Sequence, residues 1–161
     1  LPQILSGLLA HYQLAASTIE LEITETFLMA DIQSSAELLA SLKAQGCHLA
    51  MDDFGTGYSS LAYLAKLPVD VLKLDRSLLL DLEDSPQCAS MVRHMIRMAH
   101  ELGLQVVAEG IESEGQVRLL REMSCDLVQG FVFSTALDLA SFTLYLQQQP
   151  AVAQLEQFAD A

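Results

Sequence analysis

Asp52 and Asp53 stand side by side at the end of an apolar run, Cys47 to Met51, and lead straight into Phe54-Gly55-Thr56-Gly57-Tyr58-Ser59-Ser60. Two adjacent carboxylates offer hard oxygen ligands suited to Mg2+ or Mn2+. Gly55 and Gly57 allow positive φ and bring backbone N–H groups close to a ligand, and Ser59 or Ser60 can cap a following helix. Acid pair, flexible loop and helix start together fit metal-phosphate chemistry. The same residues also suit an ordinary turn after a strand. The glycines make neither a dinucleotide fingerprint, which needs a third Gly where Ser60 stands, nor a P-loop, which needs Gly-Lys-Ser/Thr.

Four further segments place one polar group near a strand end. Ile19 to Glu25 alternates with period two and carries Glu22; Val69 to Asp75 carries Lys73; Leu104 to Ala108 is ended by Glu109-Gly110; Asp126 to Phe133 contains Gln129-Gly130. Glu22, Asp52, Asp53 and Glu109 converging without cations would repel one another, and a pair of ions about 3.5–4 Å apart could hold a phosphate and lower the pKa of a bridging water. Lys73 could orient that water or offset charge on the phosphate, and Gln129 could position a base or a phosphate oxygen. Any one of these residues alone would pass for a turn, cap or snorkelling side chain; five successive strands with one polar group each near the same end would not.

Helices separate those strands. Leu1 to His11 has Ile4, Leu5, Leu8 and Leu9 at helical spacing; a helix capped by Ser34 or Ser35 ends at Gly46; Leu61 to Leu67 is stopped by Pro68. Ser85-Pro86 opens a helix closed by Gly103, with Met91, Met95 and its other apolar residues in the core. Ser113 and Gln116 form a capping-box start for a helix through Met123, and Leu139 to Gln149 is a closing helix before a tail after Pro150 that is frayed or partly helical. Alternating units imply an α/β fold with a parallel sheet. The marker residues are 30, 21, 36 and 20 positions apart, near the ~31 per unit of an eight-unit barrel of about 250 residues. Either a five-stranded open sheet of flavodoxin type or the last five units of a barrel satisfies the pattern.

Composition narrows the partners. With 161 residues, 52% of them apolar, one folded domain is expected. A net charge of −13 with eight Lys and Arg argues against binding a DNA or RNA duplex. No run is long enough for a membrane span, so no membrane contact is expected from this segment. Cys47, Cys88 and Cys125 fit free thiols in a reducing cytoplasm, and His48, His94 and His100 are assigned to structure.

Glu22-Ile23-Thr24-Glu25, Asp52-Asp53-Phe54-Gly55-Thr56-Gly57, Leu72-Lys73-Leu74-Asp75, Ala108-Glu109-Gly110-Ile111-Glu112 and Gln129-Gly130-Phe131 resemble, in order, the motifs of the EAL-domain cyclic di-GMP phosphodiesterases. The resemblance implies a TIM-barrel-type (β/α)8 fold, of which residues 1–149 would be about the last five units and 150–161 a tail. It implies hydrolysis of cyclic di-GMP to linear pGpG with two Mg2+ or Mn2+ ions. By motif position, Glu22, Asp52, Asp53 and Glu109 would serve the metal centre, with Asp52 shared between ions. Lys73, Glu109 and Asp53 would be catalytic, with Lys73 holding or activating the water, and Gln129 would help bind substrate. Glu25 would brace the loop from Phe54, with Gly55, Thr56, Gly57 and Glu112 as further loop-organising residues, and that region would face a homodimer partner. The Glu-Ala-Leu strand, the arginine region after it and the third-strand Asn of the family have no counterpart here. Ser134-Thr135-Ala136 stands where the family often has a basic residue and Pro. The last change bears on the end of the substrate cleft; the missing strands lead us to expect an excerpt or proteolytic remnant, cytoplasmic and inactive by itself, of a longer protein that could be membrane-anchored.

A non-catalytic cyclic di-GMP receptor or interaction module of the same fold is the competing function. A receiver-type reading fails on order, because its acidic pair would follow the first strand and its Lys the fifth.

Overall fold

The computed structural model of the chain describes residues 1–30, 32–56 and 64–148. The element order is α1 (Pro2–Tyr12), β1 (Glu20–Thr24), α2 (Glu25–Ala30), α3 (Ile32–Ala44), β2 (His48–Phe54), β3 (Val71–Leu74), α4 (Pro86–Glu101), β4 (Gln105–Ala108), α5 (Glu114–Glu122), β5 (Leu127–Val128) and α6 (Leu139–Gln148). All four strand pairs are parallel, and the sheet order is β1-β2-β3-β4-β5. A flavodoxin-type sheet would reverse at a switch point; strictly consecutive neighbours are instead the arc of a (β/α) barrel.

Buried strands make the core. Val71, Leu72, Lys73 and Leu74 of β3 are all buried, and Leu49, Met51, Phe54, Leu74, Val106 and Ala108 pack with Val92, Ile96, Ala99 and Leu120 of the covering helices. A parallel strand covered on both faces is apolar throughout, so the one charge in β3 is conspicuous. The ends of α4 and α5 follow their side chains: Ser85 Oγ accepts from the Cys88 N–H at 3.2 Å, and Ser113 and Gln116 form a complete capping box.

The amino ends of the strands are tied by two matching clasps. Asp70, just before β3, accepts from the Leu49 N–H at 2.9 Å and pairs with Lys43 of α3 at 2.6 Å. Asp126, just before β5, accepts from the Val106 N–H at 2.8 Å and meets His100 Nε2 of α4 at 2.8 Å. Burial would raise the Asp70 carboxyl, but the Lys43 and Leu49 donors outweigh it and hold it below the usual carboxylate range.

Several elements differ from the sequence expectations. Ser34 and Ser35 lie inside α3, which begins at Ile32, so they are not its cap; Ser35 is buried against the core side of the helix. A separate short helix, α2, follows β1, with Thr24 Oγ1 accepting from the Phe27 N–H at 3.4 Å. β2 runs on through both aspartates to Phe54. β5 keeps two residues because residues after Gly130 turn back, the Phe133 N–H bonding to the Gly130 carbonyl at 3.2 Å. Met91 is exposed, whereas Met95 and Met98 are half-buried and pack against the core from its edge. His48 is exposed, with Nδ1 3.8 Å from Asp70. The first half of the expected Leu61 to Leu67 helix, Ser59, Ser60, Gly57 and the tail from Pro150 lie outside the described residues. Among the described residues no helix is long and apolar enough to cross a membrane, and Cys47, Cys88 and Cys125 are free thiols.

Candidate active site at the carboxyl ends of the strands

The register of the sheet carries the expected residues to one place. β1 aligns Glu22 with Ala50 and Thr24 with Asp52, and β4 aligns Val107 with Lys73. Glu109 follows β4 directly, its N–H bonding to the Leu74 carbonyl at 3.1 Å. Four neighbouring strands thus deliver Glu22, Asp52, Lys73 and Glu109 to the same rim of the sheet.

Lys73 is the centre of that group. Its ammonium lies 2.6 Å from Glu22 Oε1, 2.9 Å from Glu109 Oε1 and 3.2 Å from Asp52 Oδ1. The residue is only 5% exposed. Burial by itself would drive the lysine toward its neutral form, but the attraction of Glu22, Glu109 and Asp52 outweighs it and holds the group above its ordinary value. Lys73 therefore remains an ammonium at neutral pH. It can donate to a water or a phosphate oxygen, but it has no lone pair with which to take a proton.

Asp52 Oδ1 is buried and lacks a hydrogen bond, although it lies within ion-pair distance of Lys73. A buried carboxylate oxygen in that condition is costly unless a cation faces it. Its chemistry, with that of Glu22 and Glu109, fits a hard divalent ion. As arranged, the three carboxylates close on the ammonium, and among the described residues no group of three or more His, Cys, Asp or Glu side chains is spaced to hold a metal.

Asp53 is set apart from this trio. Its φ is 55° and the β2–β3 register shifts between Met51 and Phe54, so a bulge falls on the acid pair. The Asp53 carbonyl accepts from the Thr56 N–H at 3.3 Å and from Thr56 Oγ1 at 3.0 Å, which starts the loop. Phe54 is buried beneath it, and Gly55 has a φ of 101° at a point where a Cβ would run into the Leu78 side chain. Glu25 is the first residue of α2; the Gly57 end of the loop it was expected to brace is not among the described residues.

Gln129 continues the ladder beyond β5, its N–H on the Ala108 carbonyl at 2.8 Å and its carbonyl accepting from the Ile111 N–H at 3.1 Å. Its side chain is exposed at the rim. Gly130 is required next to it, because a Cβ there would overlap the backbone of Ile111. Glu112 pairs with Arg76 at 2.8 Å, and the Arg76 stem covers Gly110. Arg76 was not among the sequence candidates. Its signal was its place three residues after Lys73, which only the fold connects to Gly110 and Glu112.

The EAL domain family matches residues 1–136. The chain is 48% identical over 134 residues to Cyclic di-GMP phosphodiesterase NbdA of Pseudomonas aeruginosa, covering 83% of this chain and 17% of that protein. The crystal structure of the EAL domain of Mycobacterium smegmatis DcpA superposes with a TM-score of 0.84 at 37% identity, over 91% of this chain and 66% of that one. Klebsiella pneumoniae BlrP1, solved in a manganese/cyclic di-GMP complex, superposes with a TM-score of 0.77 at 33% identity, over 83% of this chain and 34% of that one. The chain thus spans less than a fifth of the length of NbdA and two-thirds or less of either solved structure, and its consecutive parallel sheet is part of a TIM-type barrel. The chain belongs to the EAL domain family.

Proposed function

We propose that the full-length protein containing this chain hydrolyses cyclic di-GMP to linear pGpG with the help of two Mg2+ or Mn2+ ions. The observation that carries the reading is the convergence of Glu22, Asp52 and Glu109 on Lys73 at the carboxyl ends of the strands, where barrel enzymes do their chemistry. NbdA is named as a phosphodiesterase for this nucleotide and BlrP1 holds it together with manganese, which supports both substrate and metal class.

Glu22, Asp52, Asp53 and Glu109 would hold the cations, with the buried Asp52 oxygen that lacks a hydrogen bond and lies 3.2 Å from Lys73 the first candidate ligand. Divalent ions, when bound, supply a water of lowered pKa and offset charge on the phosphate. Lys73 positions that water by donating to it, a holding role rather than a proton-accepting one. Glu109 or Asp53 would take the proton of the attacking water and pass it to the ribose oxygen released as one P–O ester bond breaks. Gln129 orients the nucleotide at the rim. Glu25, Phe54, Gly55, Thr56, Gly57 and Glu112 shape the loops that frame the site, and a second copy of the protein docks on the region after Gly57. Residues 1–149 serve as the later part of one domain, with 150–161 as a tail, and the chemistry takes place in the cytoplasm. The chain alone, with part of the barrel, does not turn over.

Cyclic di-GMP hydrolysis read as pGpG released, with Mg2+ or Mn2+ and with EDTA, tests this on the full-length protein and on residues 1–161. Turnover by the full-length protein that vanishes with EDTA and in Asp52→Ala is expected. Binding of the nucleotide without release of pGpG would establish the receptor function instead, and turnover by the 161-residue chain would refute its inactivity.

A further inference from the structure

We propose that the Arg76–Glu112 ion pair, laid across Gly110, is a positioning clamp that keeps the Glu109 carboxylate on the Lys73 ammonium. The inference about turnover rests on the hydrolase reading; the inference about position does not.

The segment from Glu109 to Ser113 joins β4 to α5, and nearly every residue in it is held by a different neighbour. The Glu109 N–H bonds to the Leu74 carbonyl at 3.1 Å, the Ile111 N–H to the Gln129 carbonyl at 3.1 Å, and the Ile111 carbonyl accepts from the Val132 N–H at 3.0 Å. The Glu112 N–H bonds to Gln116 Oε1 at 2.9 Å. Gly110 has no such bond among the described residues. It adopts a φ of 66°, and a Cβ there would come within 2.6 Å of Arg76 Cβ and Cγ and 2.8 Å of its Cδ. The aliphatic stem of Arg76 therefore covers the one residue between Glu109 and Ile111, and its guanidinium reaches over to Glu112 Oε1 at 2.8 Å.

Arg76 is itself fixed from the Lys73 side. Asp75 Oδ1 accepts from the Ser77 N–H at 2.9 Å and opens the short 3-10 turn Arg76–Leu78, while the Asp75 N–H bonds to the Phe54 carbonyl at 3.3 Å. The clamp thus links the strand that carries Lys73 to the loop that carries Glu109. Both partners are half exposed, so the charge pair alone contributes little; the packing of the stem on Gly110 adds the rest. Of the eight Lys and Arg residues, Lys73 and Arg76 are the two within three residues of a strand's carboxyl end. Arg76 touches none of the three carboxylates around Lys73, so it acts through Glu109 and not as a catalytic residue.

Arg76→Leu, Arg76→Lys and the charge exchange Arg76→Glu/Glu112→Arg would be made in the full-length protein. Three quantities would be read: amide exchange at Gly110 to Glu112, the ammonium signal of Lys73 by 15N NMR, and kcat and KM for cyclic di-GMP with Mn2+. In Arg76→Leu, exchange at these amides is expected to rise about two- to fivefold, with a broadened ammonium signal. A kcat about tenfold lower at a KM within twofold would accompany it, as a misplaced but uninvolved contact predicts. Arg76→Lys and the charge exchange should recover most of both. Unchanged exchange and an unchanged ammonium signal in Arg76→Leu would overturn the clamp. A raised KM at constant kcat would also overturn it, by making Arg76 a ligand contact. If the wild-type protein releases no pGpG, the hydrolase reading fails while the exchange and ammonium data still decide the position of Glu109.

Discussion

Replacing Lys73 by Met removes the positive centre of the site and leaves its volume nearly intact. Glu22, Asp52 and Glu109 lie 2.6, 3.2 and 2.9 Å from that centre, so without it their oxygens face one another. Two carboxylates about 5 Å apart repel by about 3 kcal/mol at an effective dielectric of 20. Glu22, with 51% of its side chain exposed, can turn into water; Asp52 and Glu109, 20% and 19% exposed, cannot leave as easily. One such repulsion should survive, giving a loss of about 3 kcal/mol, at the low end for breaking a buried ion pair. That corresponds to amide exchange about a hundredfold faster at Leu72 and Leu74 of β3. Exchange would be followed by mass spectrometry in EDTA and again in Mn2+. Mn2+ should restore the variant far more than it protects the wild type, because a divalent ion takes over the neutralising role of the ammonium. Equal protection of the two proteins by Mn2+, or no acceleration in EDTA, would show that the carboxylates do not depend on Lys73 for their counter-charge.

Three further outcomes concern Lys73 at high pH, the Asp70 clasp and Gly130. Because the folded Lys73 is held above its unfolded value of 10.5, its contribution is complete below that pH and disappears as pH rises through the higher folded value; thermal melts should hold level to about pH 10 and then fall more steeply than those of Lys73→Met. Asp70 is lowered from 3.8, so its contribution is present above that value and lost as pH falls through the lower folded one; Asp70→Ala should cost about 1–3 kcal/mol at pH 7 in urea unfolding, through the orphaned Leu49 N–H, and less at pH 2. Gly130→Ala places a methyl into the Ile111 backbone and should destabilise by about 3 kcal/mol or more, accelerating exchange at Ile111 and Val132 before it affects β1.

Much of the site could be read directly. Glu22 and Lys73 lie within, and Glu109 just after, a short apolar or alternating run, and a side chain's position in a strand fixes its face through the two-residue period. Their common rim then followed from parallel pairing alone. The irregular backbone at the two aspartates could not be read in this way. Asp53 takes a φ of 55° where the β2–β3 register shifts, and such a bulge is set by what the neighbouring strand can pair with, which local sequence does not state. The Ser34 and Ser35 cap failed for a related reason: both residues suit a helix start, but α3 already begins at Ile32 and buries Ser35 on its inner face. The two Asp clasps at the amino ends escaped notice because their partners lie 20 to 27 residues away.

The sequence by itself determined the element types, the alternation that requires a parallel sheet, and the family, since periodicity, caps and motif order are local or sequential properties. Only the tertiary structure decided that the strands lie in consecutive order as the arc of a barrel, that Lys73 gathers three carboxylates, and that Arg76 crosses Gly110 to reach Glu112. Those facts depend on register and on long-range charge balance: a buried ammonium and three carboxylates from separate strands are each unfavourable alone, and only their assembly makes any one of them stable.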